Sequence, residues 1–251
     1  MRRAGLALAI LLCALPALAG DVNTVLAAQR QRLQTADYRA SGHLVRVDAN
    51  GARTSFTLTL KAHWFPGVLR VLVEISAPED ARAHILLEMR PNGQNVIKTA
   101  HPGDREPVIL PFEKWIDGPL GPGFSYEDFL EAPYYWPGQT WVEETQYGAR
   151  DCDVVRSAPG AADRTHYAEV RSWLDHSIGF PVYVEKTMKG TGTVKEFTYF
   201  GLRQNGGVWS ASQVEVKMRG QTGSTLLIVD RGSTQANLTL KDFSPAQLTR
   251  F

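Results

Sequence analysis

Beyond residue 20 this sequence has one cysteine, no apolar run long enough for a bilayer and no excess of either charge. Each lack excludes something. A lone Cys152 allows no internal disulfide, and nothing around it lowers a thiol pKa, so it reads as a buried, inert side chain. A membrane-spanning helix needs ~20 apolar residues, and no segment reaches that length. The 27 basic and 26 acidic residues nearly cancel, whereas a nucleic-acid partner calls for a basic excess. No such partner is expected.

Signatures of chemistry are also missing. His43, His63, His84, His101, His166 and His176 are scattered, without HExxH or another metal-ligand spacing. Strand alternation splits Asp151-Cys152-Asp153, sending the thiol to one face and both carboxylates to the other. Gly220 to Thr225 has the glycines of a phosphate loop but lacks its lysine and joins two strands. The prolines in Gly118 to Gly123 remove the amides that a phosphate needs. No G-x-S-x-G elbow occurs. Glu127-Asp128 and Glu143-Glu144 read as solvated acidic pairs. The expectation is no catalytic residue, no metal, no cofactor and no enzyme.

What is present begins with an address. Arg2 and Arg3, the apolar run Leu6 to Leu15, and Ala17-Leu18-Ala19 form a secretory signal peptide over residues 1–19. Cys13 follows Leu11-Leu12 rather than a small residue, which argues against a lipid anchor. The remainder, 20–251, reads as one domain in the periplasm.

Periodicity then sets the class. Val22, Val25, Leu26, Leu33 and Ala36 predict a helix over 22–36, capped by Asp21 or Asn23, with Gln29 to Arg32 on its wet face. After Gly42 the period becomes two. Phe56, Leu58 and Leu60 alternate with polar residues, as do Leu69, Val71, Val73 and Ile75, and then Ile85, Leu87 and Met89. Asp48 to Gly51 and Pro91 to Gly93 read as hairpin turns. Further strands are predicted at 182–188, 193–201, 208–219, 223–230 and 235–241. Their turns lie at Lys189 to Gly192, Asn205 to Gly207 and Gly220-Gln221. An antiparallel meander this long must curl. The aromatic-rich 101–138 interrupts it, with a short helix near 126–131 started by Ser125 and Asp128. Such a long connection usually covers something. Ser244-Pro245 starts a last helical turn.

Several segments, in order, resemble a known family. Gly123-Phe124-Ser125-Tyr126-Glu127-Asp128-Phe129 is similar to the FSYED-type segment of periplasmic LolA/LolB-like outer-membrane lipoprotein-sorting proteins. Trp173-Leu174-Asp175 with Gly179-Phe180-Pro181, then Val214 to Met218, Gly223 to Leu226 and Asp242 to Leu248, follow in the same order. The resemblance implies a mainly β fold, an unclosed β-barrel with an N-terminal helix and short helices covering its concave face. It also implies a cavity for lipid or lipoprotein acyl chains, and partners that include an acylated lipoprotein, an inner-membrane transporter and an outer-membrane acceptor.

On that basis Phe56, Leu58, Leu60, Val71, Val73, Ile75, Ile85, Leu87 and Met89 are expected to line the cavity. Phe124, Tyr126, Phe129 and Leu130 are expected to form a movable lid. At about 0.8 kcal/mol per buried CH₂, a sixteen-carbon chain gains on the order of 12 kcal/mol before binding costs. Two alternatives remain: an envelope interaction or sensor module without lipid cargo, favoured by a cavity too small for an acyl chain, and an enzyme acting on lipid or glycan.

Overall fold

The structure, a computed structural model, describes residues 21–118, 120 and 123–251. The expected signal peptide at 1–19 and Cys13 lie outside the described residues. Helix α1 (Val22–Gln34) opens on Asp21, whose carboxylate accepts from the Asn23 amide at 3.1 Å and the Thr24 hydroxyl at 2.8 Å. It ends two residues short of expectation, where the Thr35 hydroxyl turns back to the Gln31 carbonyl at 2.9 Å. Leu26 and Leu33 are buried as the spacing predicts. Gln29, expected on the wet face, is fully buried as well, because its amide donates to Glu131 at 2.8 Å.

Strands β1 (Asp37–Val47), β2 (Arg53–Phe65), β3 (Val68–Ala77), β4 (Ala83–Met89), β5 (Val96–Ala100) and β6 (Val108–Ile109) form one antiparallel meander. A second follows through β7 (Gly138–Tyr147), β8 (Arg150–Ala158), β9 (Tyr167–Asp175), β10 (Pro181–Met188) and β11 (Val194–Phe200). A small separate hairpin, β12 (Arg203–Asn205) and β13 (Val208–Ser210), precedes β14 (Gln213–Met218) and β15 (Ser224–Ser233). Pairing of β1 with β15 joins the meanders into a sheet of thirteen strands, ordered β6-β5-β4-β3-β2-β1-β15-β14-β11-β10-β9-β8-β7. Its edges, β6 and β7, do not pair, so the sheet is not closed into a barrel. At the seam β1 shifts register between Ser41 and Gly42. A Cβ on Gly42 would sit 1.9 Å from the Ile228 carbonyl oxygen, which restricts the position to glycine.

Side chains pack on both faces of the sheet. On the inner face, Phe56 and Leu58 of β2, Val71 to Ile75 of β3 at alternate positions, and Ile85, Leu87 and Met89 of β4 share one core with Leu26 and Leu33 of α1. Residues 110–137 connect edge strand β6 to edge strand β7 and place Trp115, Phe124, Leu130 and Trp136 in that same core. On the outer face, Leu72, Leu86 and Ala100 are covered by Leu238, Phe243 and Leu248.

Two strand expectations fail. Residues 235–241 are not a strand, since the Asp37 carboxylate takes the amides of Asn237 and Leu238 at 2.8 and 2.9 Å and Asn237 has φ +53°. A 3₁₀ turn, Leu240–Phe243, follows it, and the terminal turn Pro245–Leu248 starts at Ser244 as expected. The strand predicted over 208–219 is broken in two at Ala211-Ser212, where the Ser212 amide bonds the carbonyls of Phe200 and Gly201 and β13 folds back on β12. The turn between those two strands has φ +56° at Gly206 and +82° at Gly207, as a tight hairpin requires.

Candidate ligand-binding site

An apolar cavity of about 230 Å³ lies on the inner face beside the β1–β15 seam. Its floor is Leu58 and Leu60 of β2 and Leu69 and Val71 of β3. Val214 and Leu227 continue the wall across the seam, and Phe180 and Tyr199 close the far side. The end of α1, from Arg32 to Ala36, lies along it, and the β12–β13 hairpin contributes Val208, Trp209 and Ser210. From the 110–137 connection come Phe129 and Glu131.

The charged groups that line this cavity, Arg32, Asp37 and Glu131, are already engaged. Arg32 pairs with Glu131, donates from Nε to Gln29 at 3.1 Å and stacks over Phe180 at 5.3 Å. Asp37 takes the two C-terminal amides named above and faces His63 Nδ1 at 3.1 Å.

The connection itself is fastened by a buried ionic network. Ser125 starts a 3₁₀ turn, Tyr126–Phe129, shorter than the predicted helix. The Asp128 carboxylate accepts from the Ser125 amide and hydroxyl, both at 2.8 Å, which pins that turn. The same carboxylate accepts from Lys195 at 2.8 Å, Lys186 at 3.1 Å and the Tyr167 hydroxyl at 2.6 Å. Lys186 also sits 4.5 Å from the Phe197 ring centre. Burial opposes the charge on Asp128, but Lys195 and Lys186 outweigh it and hold the carboxyl well below the usual carboxylate range. Beside it, Glu127 accepts from the Thr165 hydroxyl and the His166 amide and meets His166 Nδ1 at 2.9 Å. The solvated pair expected at Glu127-Asp128 is therefore a buried anchor, whereas Glu143-Glu144 is exposed on edge strand β7. Sequence reasoning overlooked Lys186 and Lys195. A lysine inside each apolar alternation, Val182-Val184-Lys186-Met188 and Lys195-Phe197-Tyr199, was the available signal.

The residues singled out from the sequence divide by place. Leu58, Leu60, Val71 and Phe129 line the cavity. Phe56, Val73, Ile75, Ile85, Leu87 and Met89 are buried in the inner core away from it. Phe124 packs edge-on against Phe129 at 4.8 Å, Tyr126 packs on the core, and Leu130 is buried on the other side of the turn beside Trp136 and Lys186. Cys152 on β8 is fully buried, and burial pushes its thiol up to about 11. Among the described residues no three His, Cys, Asp or Glu side chains gather as a metal site, and no helix is long and apolar enough to cross a membrane.

Comparison with solved structures places this architecture. A domain from Vibrio parahaemolyticus, provisionally assigned as an outer membrane lipoprotein-sorting protein, superposes with a TM-score of 0.80 at 18% identity, over 92% of this chain and 100% of its own. A DUF1329 family protein from Desulfovibrio piger gives 0.79 at 14% identity, over 90% and 98%. A LolA superfamily protein from Nitrosomonas europaea gives 0.66 at 14% identity, over 90% and 99%. No curated protein sequence matches. A family model described as "Uncharacterized protein" matches residues 70–250. The chain thus belongs to that uncharacterized family, and its fold is that of the LolA superfamily and the outer-membrane lipoprotein-sorting domains.

Proposed function

We propose that this chain is a periplasmic carrier that holds one acyl chain of a lipid or lipoprotein in the seam cavity. The observation that carries the reading is the cavity itself: an apolar space with few polar groups, beneath Phe129, in a fold shared with lipoprotein-sorting domains. The reading includes export through the expected signal peptide, a single binding domain over 20–251, no catalysis, and handover between a membrane donor and an outer-membrane acceptor.

Volume sets how such a carrier works. A cavity of ~150 Å³ holds benzene, so by proportion about 230 Å³ takes roughly nine carbons. Their burial is worth about 7 kcal/mol, which association costs of about 4–15 kcal/mol largely offset. Retention of a longer chain needs more room. Phe129 is the side chain able to give it, because its ring is only half-buried while the turn beneath it is pinned through Asp128. The lid in this reading is that one ring with Phe124 behind it, rather than the whole segment. Small cavity size is also what favours the second reading, an envelope interaction module without lipid cargo.

Native mass spectrometry of residues 20–251, purified gently from a bacterial periplasm, separates the two. A co-purifying lipid or acylated peptide that is lost on denaturation is the expected result. An empty protein that also takes up no added lipid overturns the carrier reading and leaves the interaction module.

A further inference from the structure

The walls of the seam cavity are not held equally firmly. The end of α1 is fastened to the 110–137 connection, where Gln29 and Arg32 meet Glu131 and Arg30 Nε donates to the Tyr134 carbonyl at 2.8 Å. Phe180 follows a loop closed on the same helix, since a Cβ on Gly179 would lie 2.4 Å from the Ala28 Cβ. The β12–β13 hairpin is held far less. It forms a sheet of its own, and none of residues 201–212 is buried. Among the described residues no hydrogen bond joins it to α1. Hydrogen bonds at its tip run to the chain at the end of β15. There the Thr234 hydroxyl donates to the Asn205 carbonyl at 3.0 Å, and the Asn205 amide donates to the Gly232 carbonyl at 3.4 Å. A two-stranded hairpin is marginal by itself. Exposed hydrogen bonds and few buried apolar contacts mark the segments that open most readily.

This loosely held piece stands between the cavity and a second space. Val208 and Trp209 line the seam cavity and also a groove of about 240 Å³, which shares Arg32, Thr35 and Phe180 with it. The groove is open to water, with Ala28, Gln31, Thr35 and Gly207 exposed along it. We infer that the β12–β13 hairpin is the gate of the seam cavity. It swings away from the end of α1, and an acyl chain passes from the groove beneath Trp209 into the apolar space. Phe129 then gives room inside, while the hairpin controls passage. The bend lies at the hairpin base. Gly201 has φ +58° there, and the Ser212 amide holds the carbonyls of Phe200 and Gly201 at 3.1 and 3.2 Å, so β11 and β14 stay in the sheet. This rests on the carrier reading and adds to it the route and the moving part.

A disulfide at the tip tests it. A Cβ on Gly206 would lie 4.0 Å from the Thr234 Cβ, within the ~3.5–4.5 Å that a disulfide spans. Gly206→Cys combined with Thr234→Cys locks the tip when oxidised and frees it when reduced. In residues 20–251 the one native thiol, Cys152, is fully buried. Strain from a cysteine at φ +56° is common to both forms and cancels between them. The readout is stopped-flow fluorescence with cis-parinarate, a fatty acyl chain that fluoresces without an added dye. Oxidation should slow association and dissociation alike by on the order of tenfold or more, with Kd held within about twofold. Equal rates in the two forms overturn the gate and leave the carrier reading standing. A wild-type chain that binds no probe overturns the carrier reading and this inference with it. If the disulfide does not form, Trp209→Ala decides. Faster association together with faster dissociation supports the gate, whereas unchanged association makes Trp209 only a wall and overturns it.

Discussion

The two halves of the sheet finish their inner faces differently. Strands β2 to β4 present Phe56, Leu58, Val71, Val73, Ile75, Ile85, Leu87 and Met89, an apolar surface with no buried charge among these residues. Strands β9 to β11 present Val170, Val184 and Phe197, but set Tyr167, Lys186 and Lys195 among them. Hydrophobic contact is non-directional and tolerates sliding. A carboxylate shared by two ammonium groups, a phenol and a serine has one geometry that satisfies it. The connection that crosses the inner face is therefore bolted to the C-terminal half and lies against the N-terminal half. The cavity sits where those two kinds of surface meet, beside the seam.

Breaking the bolt gives the largest effect. Asp128→Asn leaves Lys186 and Lys195 buried without a counter-charge, and the expected loss is about 3–5 kcal/mol in urea unfolding. The pH dependence follows from the same carboxylate. Its folded pKa lies below the unfolded value of 3.8, so its stabilisation is fully present above about pH 4 and is lost as pH falls further. The wild-type chain should lose stability steeply from pH 4 downward, and Asp128→Asn should flatten that limb. An unchanged limb in the variant would show that other carboxylates dominate acid unfolding.

The apolar half is tested by Leu87→Ala, for which about 3 kcal/mol is expected as a fully buried Leu→Ala change. Its cost should not vary between pH 3 and pH 7, because Leu87 sits in the apolar inner core, between Val71 and Ile97 of the neighbouring strands. A pH-dependent cost would mean that the two halves are coupled through the connection rather than independent.

How far these halves could be read from sequence follows the same division. Period-two alternation put Phe56 to Leu60, Leu69 to Ile75 and Ile85 to Met89 on one face, and β2, β3 and β4 carry them so. The cap at Asp21, the Ser125–Asp128 pairing and the turn at Gly206-Gly207 were visible because each is local in sequence. The bolt was not, since Asp128 meets lysines 58 and 67 positions away and nothing nearby marks the pairing. The segment at 235–241 misled for a related reason. Its alternation looks strand-like, but its amides are taken by Asp37, 200 positions back. The position of the cavity was equally hidden. Whether an apolar strand face is filled or left open depends on what packs over it, and only four of the thirteen residues singled out border the open space.

The smallest stability effect, and the most informative for function, belongs to Phe129→Ala. The ring is half-buried, and an existing cavity lies on one side of it, so it makes fewer contacts than a core phenylalanine. Scaled to partial burial, the about 1.5–3 kcal/mol for full burial gives a loss of about 1–2 kcal/mol, measured as a shift in the urea midpoint. Ligand behaviour should move in the other direction. Removing the ring enlarges the cavity while Asp128 still pins the backbone beneath it, so a dodecyl chain should bind more tightly or exchange faster than in the wild type. Unchanged exchange of a fluorescent fatty-acyl probe together with unchanged stability would sink the role assigned to this ring. A stability loss as large as that of Asp128→Asn would place Phe129 in the bolt instead, and the boundary between the two surfaces would have to be redrawn.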